Sequence, residues 1–305
     1  MIGIIYCPKE ELLRAEHRGK EVCDYLDQKQ QPYDYRIAKG RKAIEQTAFD
    51  FAHEGVNTLL VVGGDAALNC VLNGLISADP TALECMSIGV VPNGYANDWA
   101  RYWGITEGKV QEAMDWFLKG RVRKVDVGYC KSMGEGSQPV TRYFLNCVNV
   151  GLVGEIMQLK HKTFHLWGLT TLSYLNSMLL LLFKRKLFDM NLEVNYEHVE
   201  RTLMNVCLGS CHSYGLTPNA VPYSGMLDVT LVSHPKLTKL FGGLYLLLTG
   251  RFLRHSNVNS YRTRTKIKFK ENDKAKVSLD GVVWQEAKCP MEIGVLPEAL
   301  QFIIP

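Results

Sequence analysis

Asn57-Thr58-Leu59-Leu60-Val61-Val62-Gly63-Gly64-Asp65-Ala66-Ala67 decides how this chain is read. An apolar run ends in two glycines and a carboxylate, immediately before a helical pattern from Ala66 to Ile76, so a buried strand meets a helix there. At such a junction the backbone N–H groups and the positive end of the helix can meet a phosphate. Glycine also serves ordinary tight turns, so Gly-Gly-Asp alone leaves both readings open.

Working outward, the same alternation repeats through the first half. Strands are expected from about Ile2 to Tyr6, Tyr33 to Ile37, Asn57 to Val62 and Ile88 to Val91. Helices are expected from about Glu10 to Gln28, Ala43 to His53 with Gly55 closing it, Ala66 to Ile76, Asn97 to Trp103 and Lys109 to Leu118. This rhythm specifies a parallel sheet flanked by helices, with ligands bound at the loops that follow the strands. One such loop, Val91-Pro92-Asn93-Gly94-Tyr95-Ala96-Asn97-Asp98-Trp99-Ala100-Arg101, carries Asn97-Asp98, which taken alone read equally well as a helix cap and a first-turn acid.

After Arg121 the pattern turns to strands: Val125 to Tyr129, Tyr143 to Val150, Met190 to Tyr196, Thr202 to Leu208, Leu227 to Val232, Ser256 to Lys270 and Lys274 to Leu279. Two helices interrupt them, at about 165–183 and 235–253. A second, mainly antiparallel domain is expected, with neither an internal repeat nor a long polar linker.

Composition sets the outer bounds. The 305 residues are 47% hydrophobic and 22% charged, with 26 Gly and 11 Pro, which excludes disordered, collagenous and low-complexity classes. Lys and Arg number 35 against 31 Asp and Glu, and the net charge of +4 is far from that of a dedicated nucleic-acid binder. Nine scattered cysteines without a Cys-x-x-Cys pair suggest neither a disulfide framework nor zinc, and favour a reducing, cytoplasmic setting. The N-terminus lacks the basic region of a signal peptide and reads as a first strand. The longest apolar stretches, Met178 to Phe183 and Leu240 to Leu248, fall short of the roughly 18 to 20 residues of a spanning helix.

Taken together, Gly63-Gly64-Asp65, Asn69 and Pro92-x-Gly94-x-x-Asn97-Asp98-x-Ala100-Arg101 resemble the diacylglycerol kinase catalytic domain family, in its bacterial lipid kinase branch related to sphingosine kinases. Val125-Asp126-Val127-Gly128, Phe144-Leu145-Asn146, Gly225-x-Leu227-Asp228-Val229, Leu279-Asp280-Gly281 and Ile293 to Leu300 follow in the family's order. NAD kinases share the fold more distantly. The resemblance implies an α/β nucleotide-binding domain at 1–122, completed by 291–305, and an antiparallel β-sandwich lipid-substrate domain at 123–290. It implies an ATP-dependent lipid kinase with its active site in the cleft between them, acting at the cytoplasmic face of a membrane as a peripheral protein. A homodimer is compatible with this reading, and nucleic acid is not expected as a partner.

The same resemblance implies roles for single residues. Gly63, Gly64, Asp65, Ala67, Gly94, Tyr95 and Asn97 would face the nucleotide. Asp65, Asn97, Asp98 and Asp126 would hold Mg2+ and its waters, and Asp280 would take the proton from the lipid hydroxyl, with Asp65 and Asp98 assisting. Phosphoryl transfer suits such a set because it needs positioning and charge neutralisation above all. Without the family match, Asp280 in Ser-Leu-Asp-Gly reads as a turn residue.

The chain departs from the family where hydroxyls and secondary acids are usual. GGDGT becomes Gly63-Gly64-Asp65-Ala66-Ala67, the Thr of PxGTxND becomes Tyr95, and the Glu after Asn69 becomes Cys70. The Glu of DGE becomes Val282, with Glu286 on the same face only in an unbroken strand. Ser224 replaces the Asp expected before Gly225, which puts the family's structural Mg2+ site in doubt. Tyr95 is expected to stack on a base or partly close the pocket. A divergent kinase and a catalytically impaired or dead relative both remain open, since the acids persist while the hydroxyls are lost; an NAD kinase is disfavoured by the Pro92 to Arg101 segment.

Two segments suit a membrane surface. One is the helix from His165 to Phe183, followed by Lys184-Arg185-Lys186. The other is Arg262-Thr-Arg264-Thr-Lys266-Ile-Lys268-Phe-Lys270, with five cations on one strand face. A buried helix and a merely solvated strand are the competing readings.

Overall fold

Leu59 to Gly63 and Ile88 to Pro92 are buried without interruption, as expected of parallel strands covered on both faces. The computed structural model describes residues 1–8, 15–94, 96–133, 138–167, 186–212, 216–234, 239, 242, 243, 245, 246, 249 and 251–305. They form two units, Met1–Val127 with Pro297–Pro305, and Gly128–Leu296. One division falls inside β5 (Val122–Met133) and the other inside β15 (Met291–Ile303).

In the first unit β1 (Ile2–Tyr6) pairs in parallel with β2 (Tyr33–Ile37) and β3 (Thr58–Gly63), and β3 pairs in parallel with β4 (Ser87–Pro92). The end of β15 adds a further parallel strand, with Gln301 opposite Ser87 and Phe302 opposite Ile88. Around the sheet lie α1 (Ala15–Gln28), α2 (Arg41–His53), α3 (Asp65–Ala78), α4 (Ala82–Cys85), α5 (Asp98–Tyr102) and α6 (Val110–Lys119). Nearly every residue of α3 up to Leu75 is buried, and Gly74 lets it approach α2 so closely that an added Cβ would strike the Glu45 carbonyl. Trp99, fully buried, meets Phe302 edge-on with ring centroids 5.2 Å apart, which seats α5 on the C-terminal strand.

The second unit is antiparallel. Its main sheet runs β14 (Val282–Trp284), β13 (Val277–Leu279), β7 (Cys147–Gly151), β9 (Glu197–Gly209), β8 (Phe188–Val194), β12 (Ile267–Glu271) and the start of β15. β10 (Leu227–Ser233) branches from β9 and carries β11 (Val258–Thr263), while β5 pairs with β6 (Pro139–Phe144). One sheet face packs an apolar core that includes Val148, Val206, Val229, Phe269 and Val277.

The sequence placed a single strand at Tyr143 to Val150. Leu145 and Asn146 instead separate β6 from β7, and their amides bond to Asp280. The run from Ser256 to Lys270 likewise divides into β11 and β12, because the first half pairs with β10 and the second with β8 and β15. α7 (Leu152–Trp167) starts well before the expected His165, since the Asn205 side chain accepts the Val153 N–H at 3.0 Å and caps its first turn. The remainder of the 165–183 helix, Lys184 and Arg185 lie outside the described residues, as does most of 235–253.

Candidate functional site

β3 ends at Gly63 and α3 begins at Asp65, as the Gly-Gly-Asp reading requires. The glycines have a tertiary reason. A Cβ on Gly94 would lie 2.5 Å from the Gly64 Cα and 2.6 Å from Asn97 Oδ1, and a Cβ on Gly64 would lie 2.7 Å from the Gly94 Cα. The loops after β3 and β4 therefore touch backbone to backbone. Ala67 Cβ would stand 2.7 Å from a Cβ placed on Gly63, so its methyl covers that residue.

Asp65 joins the two loops. Its Oδ2 accepts the Asp98 N–H at 2.9 Å and its Oδ1 the Trp99 N–H at 3.0 Å, so a side chain at the start of α3 caps the start of α5. Asn97, at φ 51°, accepts the Gly94 N–H at 2.9 Å and donates from Nδ2 to the Gly94 carbonyl and to Glu107 Oε2, both at 3.1 Å. Arg18 completes the set, 3.1 Å from Glu107 and donating to the Pro92 carbonyl at 2.6 Å. The sequence reading missed Arg18 and Glu107. No local signal marks them, because Arg18 lies on α1 and meets its partners only through folding. Asp98 forms an ion pair with the exposed Arg101 at 3.1 Å. Tyr95 lies outside the described residues.

Asp126 is fully buried on β5 and accepts the Glu298 N–H at 3.0 Å. The acids expected at a metal are thus engaged with backbone amides or with arginine. Among the described residues no three His, Cys, Asp or Glu form a group able to hold a metal ion. The donor set does not fit a resident Mg2+ held by protein alone. Mg2+ commonly keeps water and substrate phosphate in its shell, so this donor set is compatible only with an ion brought by a ligand.

Asp280 lies in the second unit, where Asp280 and Gly281 form the two-residue turn between β13 and β14, both at positive φ (48° and 85°). That is the type I′ pattern favoured by Asp-Gly. The carboxylate is buried and accepts three consecutive amides: Leu145 at 2.8 Å, Asn146 at 2.8 Å and Cys147 at 2.9 Å. Such donors stabilise it as an anion. The hairpin turn and the anchored acid are the same residue. β14 stops at Trp284, so Glu286 lies beyond the strand and exposed. Ser224 closes a local turn, donating to the Val221 carbonyl at 2.9 Å.

The basic strip is not one strand face. Arg262 donates twice to Asp228, at 2.6 and 3.0 Å, and Lys266 pairs with Glu292 at 2.9 Å. Lys268 sits between Glu193 and Glu292 in the cross-strand register. Two of the strip's five cations, Arg262 and Lys266, are thus paired with acids on neighbouring strands. Lys186 pairs with Glu155 at 2.6 Å. Among the described residues no helix is long and apolar enough to cross a membrane.

Residues 3–130 match the family profile of the diacylglycerol kinase catalytic domain, and residues 147–304, just over half of the chain, match that of the YegS C-terminal NAD kinase beta sandwich-like domain. A diacylglycerol kinase of Mycobacterium tuberculosis (strain ATCC 25618 / H37Rv) is 23% identical over 301 residues, covering 96% of this chain and 88% of that protein. The crystal structure of a diacylglycerol kinase from Bacillus anthracis str. Sterne superposes with a TM-score of 0.67 at 17% identity, covering 100% of this chain and 96% of the other. Yeast NADH kinase complexed with NADH gives a TM-score of 0.56 at 10% identity, covering 99% and 82%.

Proposed function

This chain belongs to the diacylglycerol kinase catalytic domain family, and we propose that it is an ATP-dependent lipid kinase acting on a lipid hydroxyl. The observation that carries the proposal is the loop pair at the start of α3, where Asp65, Gly64 and Gly94 lock two strand ends together. Within the first turn of α3 the Ala67 N–H bonds back to the Gly64 carbonyl at 3.0 Å, so the donor the turn would offer to a phosphate oxygen is the Ala66 N–H. Gly63, Gly64, Ala67 and Gly94 let the chain come close to the nucleotide. Asp65, Asn97 and Asp98 hold the loops in register, and Asp126 holds the backbone of β15 at Glu298, where φ is 53°.

When bound, ATP supplies the γ-phosphoryl group and the Mg2+ it carries spreads the charge of transfer. Asp280, rigid and anionic, orients the acceptor hydroxyl and takes its proton. Little push is required of it, because phosphoryl transfer is largely dissociative. The lipid acceptor brings the protein to a membrane surface from the cytoplasmic side, as a peripheral enzyme.

Transfer of labelled phosphate from ATP to mixed lipid micelles, lost in Asp280→Asn, is the expected result. No transfer, together with no shift in Tm at millimolar ATP, overturns the proposal. A second reading, a non-catalytic nucleotide or lipid binder on this fold, is favoured by Ala66 and Ala67 at the phosphate-facing positions. ATP binding without transfer supports it.

A further inference from the structure

We propose that Asn146, together with Ser278, binds the phosphoryl acceptor, and that this acceptor carries a second hydrogen-bond donor, a hydroxyl or an amine, beside the hydroxyl that is phosphorylated. The proposal rests on the kinase reading of Asp280. Its own support is a pair of buried atoms.

Asn146 is 2% exposed, and its backbone is fully used: the N–H donates to Asp280 at 2.8 Å, and the carbonyl accepts Ser210 N–H at 2.9 Å and Cys211 N–H at 3.2 Å. Its Oδ1 nevertheless has no hydrogen-bond partner among the described residues. Ser278, two residues before Asp280 and 1% exposed, has a buried Oγ in the same condition. Polar side chains around them are satisfied. Ser210 Oγ donates to the Leu145 carbonyl at 2.6 Å, Asn205 donates to Asn149 at 3.0 Å, and Thr230 donates to the Leu216 carbonyl at 2.6 Å. Buried polar atoms are almost always paired, so two exceptions flanking one anchored carboxylate mark a place completed by something else.

The chemistry of the atoms selects the ligand. A carboxamide oxygen only accepts, and so does an ionised carboxylate, so a phosphate is unfavourable at this corner and a donor is required. One hydroxyl has one proton to give. Asp280 and Asn146 together present two acceptors, and Ser278 can accept or donate, so an alcohol with a single O–H leaves one of them unmet. A site built around a ligand donor discriminates against the analogue that lacks it, because its own buried group is then left unpaired.

The experiment compares 1-monooleoylglycerol, with two hydroxyls, and 1,2-dioleoylglycerol, with one, at equal mole fraction in mixed micelles with ATP. Wild type is expected to favour the monoacyl lipid in kcat/KM. Asn146→Leu is expected to lose about tenfold more kcat/KM on the monoacyl than on the diacyl lipid, the effect of one hydrogen bond, with Ser278→Ala acting in the same direction. Lipid-free Asn146→Leu should melt at or above the wild-type Tm, since it removes an unpaired buried atom. Equal losses on both lipids, or a lowered Tm showing that an ordered water already satisfies Asn146, overturn the inference. If wild type neither transfers phosphate nor binds ATP, the kinase reading fails separately. In that event a Tm shift with monooleoylglycerol alone, absent in Asn146→Leu, supports the binding site, and no shift in wild type overturns it.

Discussion

Asp65→Asn separates capping from metal binding at the residue on which the site turns. Asp65 is 92% buried by its 8% exposure, and its two oxygens accept the Asp98 and Trp99 amides at 2.9 and 3.0 Å. Asparagine keeps one acceptor and turns an N–H2 toward the other amide, so one charge-assisted bond is lost and one donor faces another. A hydrogen bond to a charged group is worth about 1.5 to 3 kcal/mol, and a buried unmet donor costs about 1 to 3. With partial relaxation, a loss of about 2 to 4 kcal/mol is expected. Urea unfolding followed by tryptophan fluorescence suits the measurement, since Trp99 lies on the capped helix and Trp103 just past its end. The buffer should contain a chelator, because a cap needs no ion. Arg101→Ala, which removes an exposed partner of Asp98 and of the Ala96 carbonyl, should change stability by under about 1 kcal/mol. If Asp65→Asn matches wild type within about 0.5 kcal/mol in chelator yet abolishes a Mg2+-dependent stabilisation, the capping argument is wrong and Asp65 is a metal ligand.

Gly94→Ala places a Cβ 2.5 Å from the Gly64 Cα and should cost about 1 to 3 kcal/mol with a reduced ATP-induced Tm shift; wild-type values for both would refute the loop contact. Arg18→Ala removes the cation beside Glu107 and the donor to the Pro92 carbonyl, and is expected to raise KM for ATP about threefold to tenfold with little change in kcat; a fall in kcat alone would count against a positioning role. The hydrogen bond from Lys266 holds the Glu292 carboxyl below its ordinary value of 4.5, so the pair stabilises the fold above that pH and the contribution is lost as pH falls through the lowered value. An NMR titration should show Glu292 moving up in Lys266→Met, and an unmoved midpoint contradicts the pairing. Burial pushes the Cys7 thiol up to about 12, whereas Cys85 is exposed. Brief alkylation at pH 8 should label Cys85 and spare Cys7, as read by mass spectrometry; early labelling of Cys7 would mean that β1 opens readily.

How much was legible follows from range. Val61 to Asp65 could be read because a parallel strand buried on both faces is a continuous apolar run, and because glycines at its end are a local feature. Asp280-Gly281 was legible as a turn for the same reason. Arg18 and Glu107 were not, since their meeting depends on α1 and the loop before α6 arriving at one place. The cationic alternation from Arg262 to Lys270 misled, because a period-two pattern specifies a face only while one strand continues, and here the partners change between Thr263 and Ile267.

The sequence by itself determined the order of the elements, the parallel and antiparallel halves, and the family, because periodicity and short motifs are properties of neighbours along the chain. Only the tertiary structure decided what the motif residues do in the folded protein. Gly64 is small because Gly94 lies against it, Asp65 caps a helix that starts 33 residues later, and Asp280 is held by three amides from a strand break 133 to 135 residues away. A buried carboxylate must find its hydrogen bonds wherever the fold brings them, and that supply is set by packing, which no local spacing encodes.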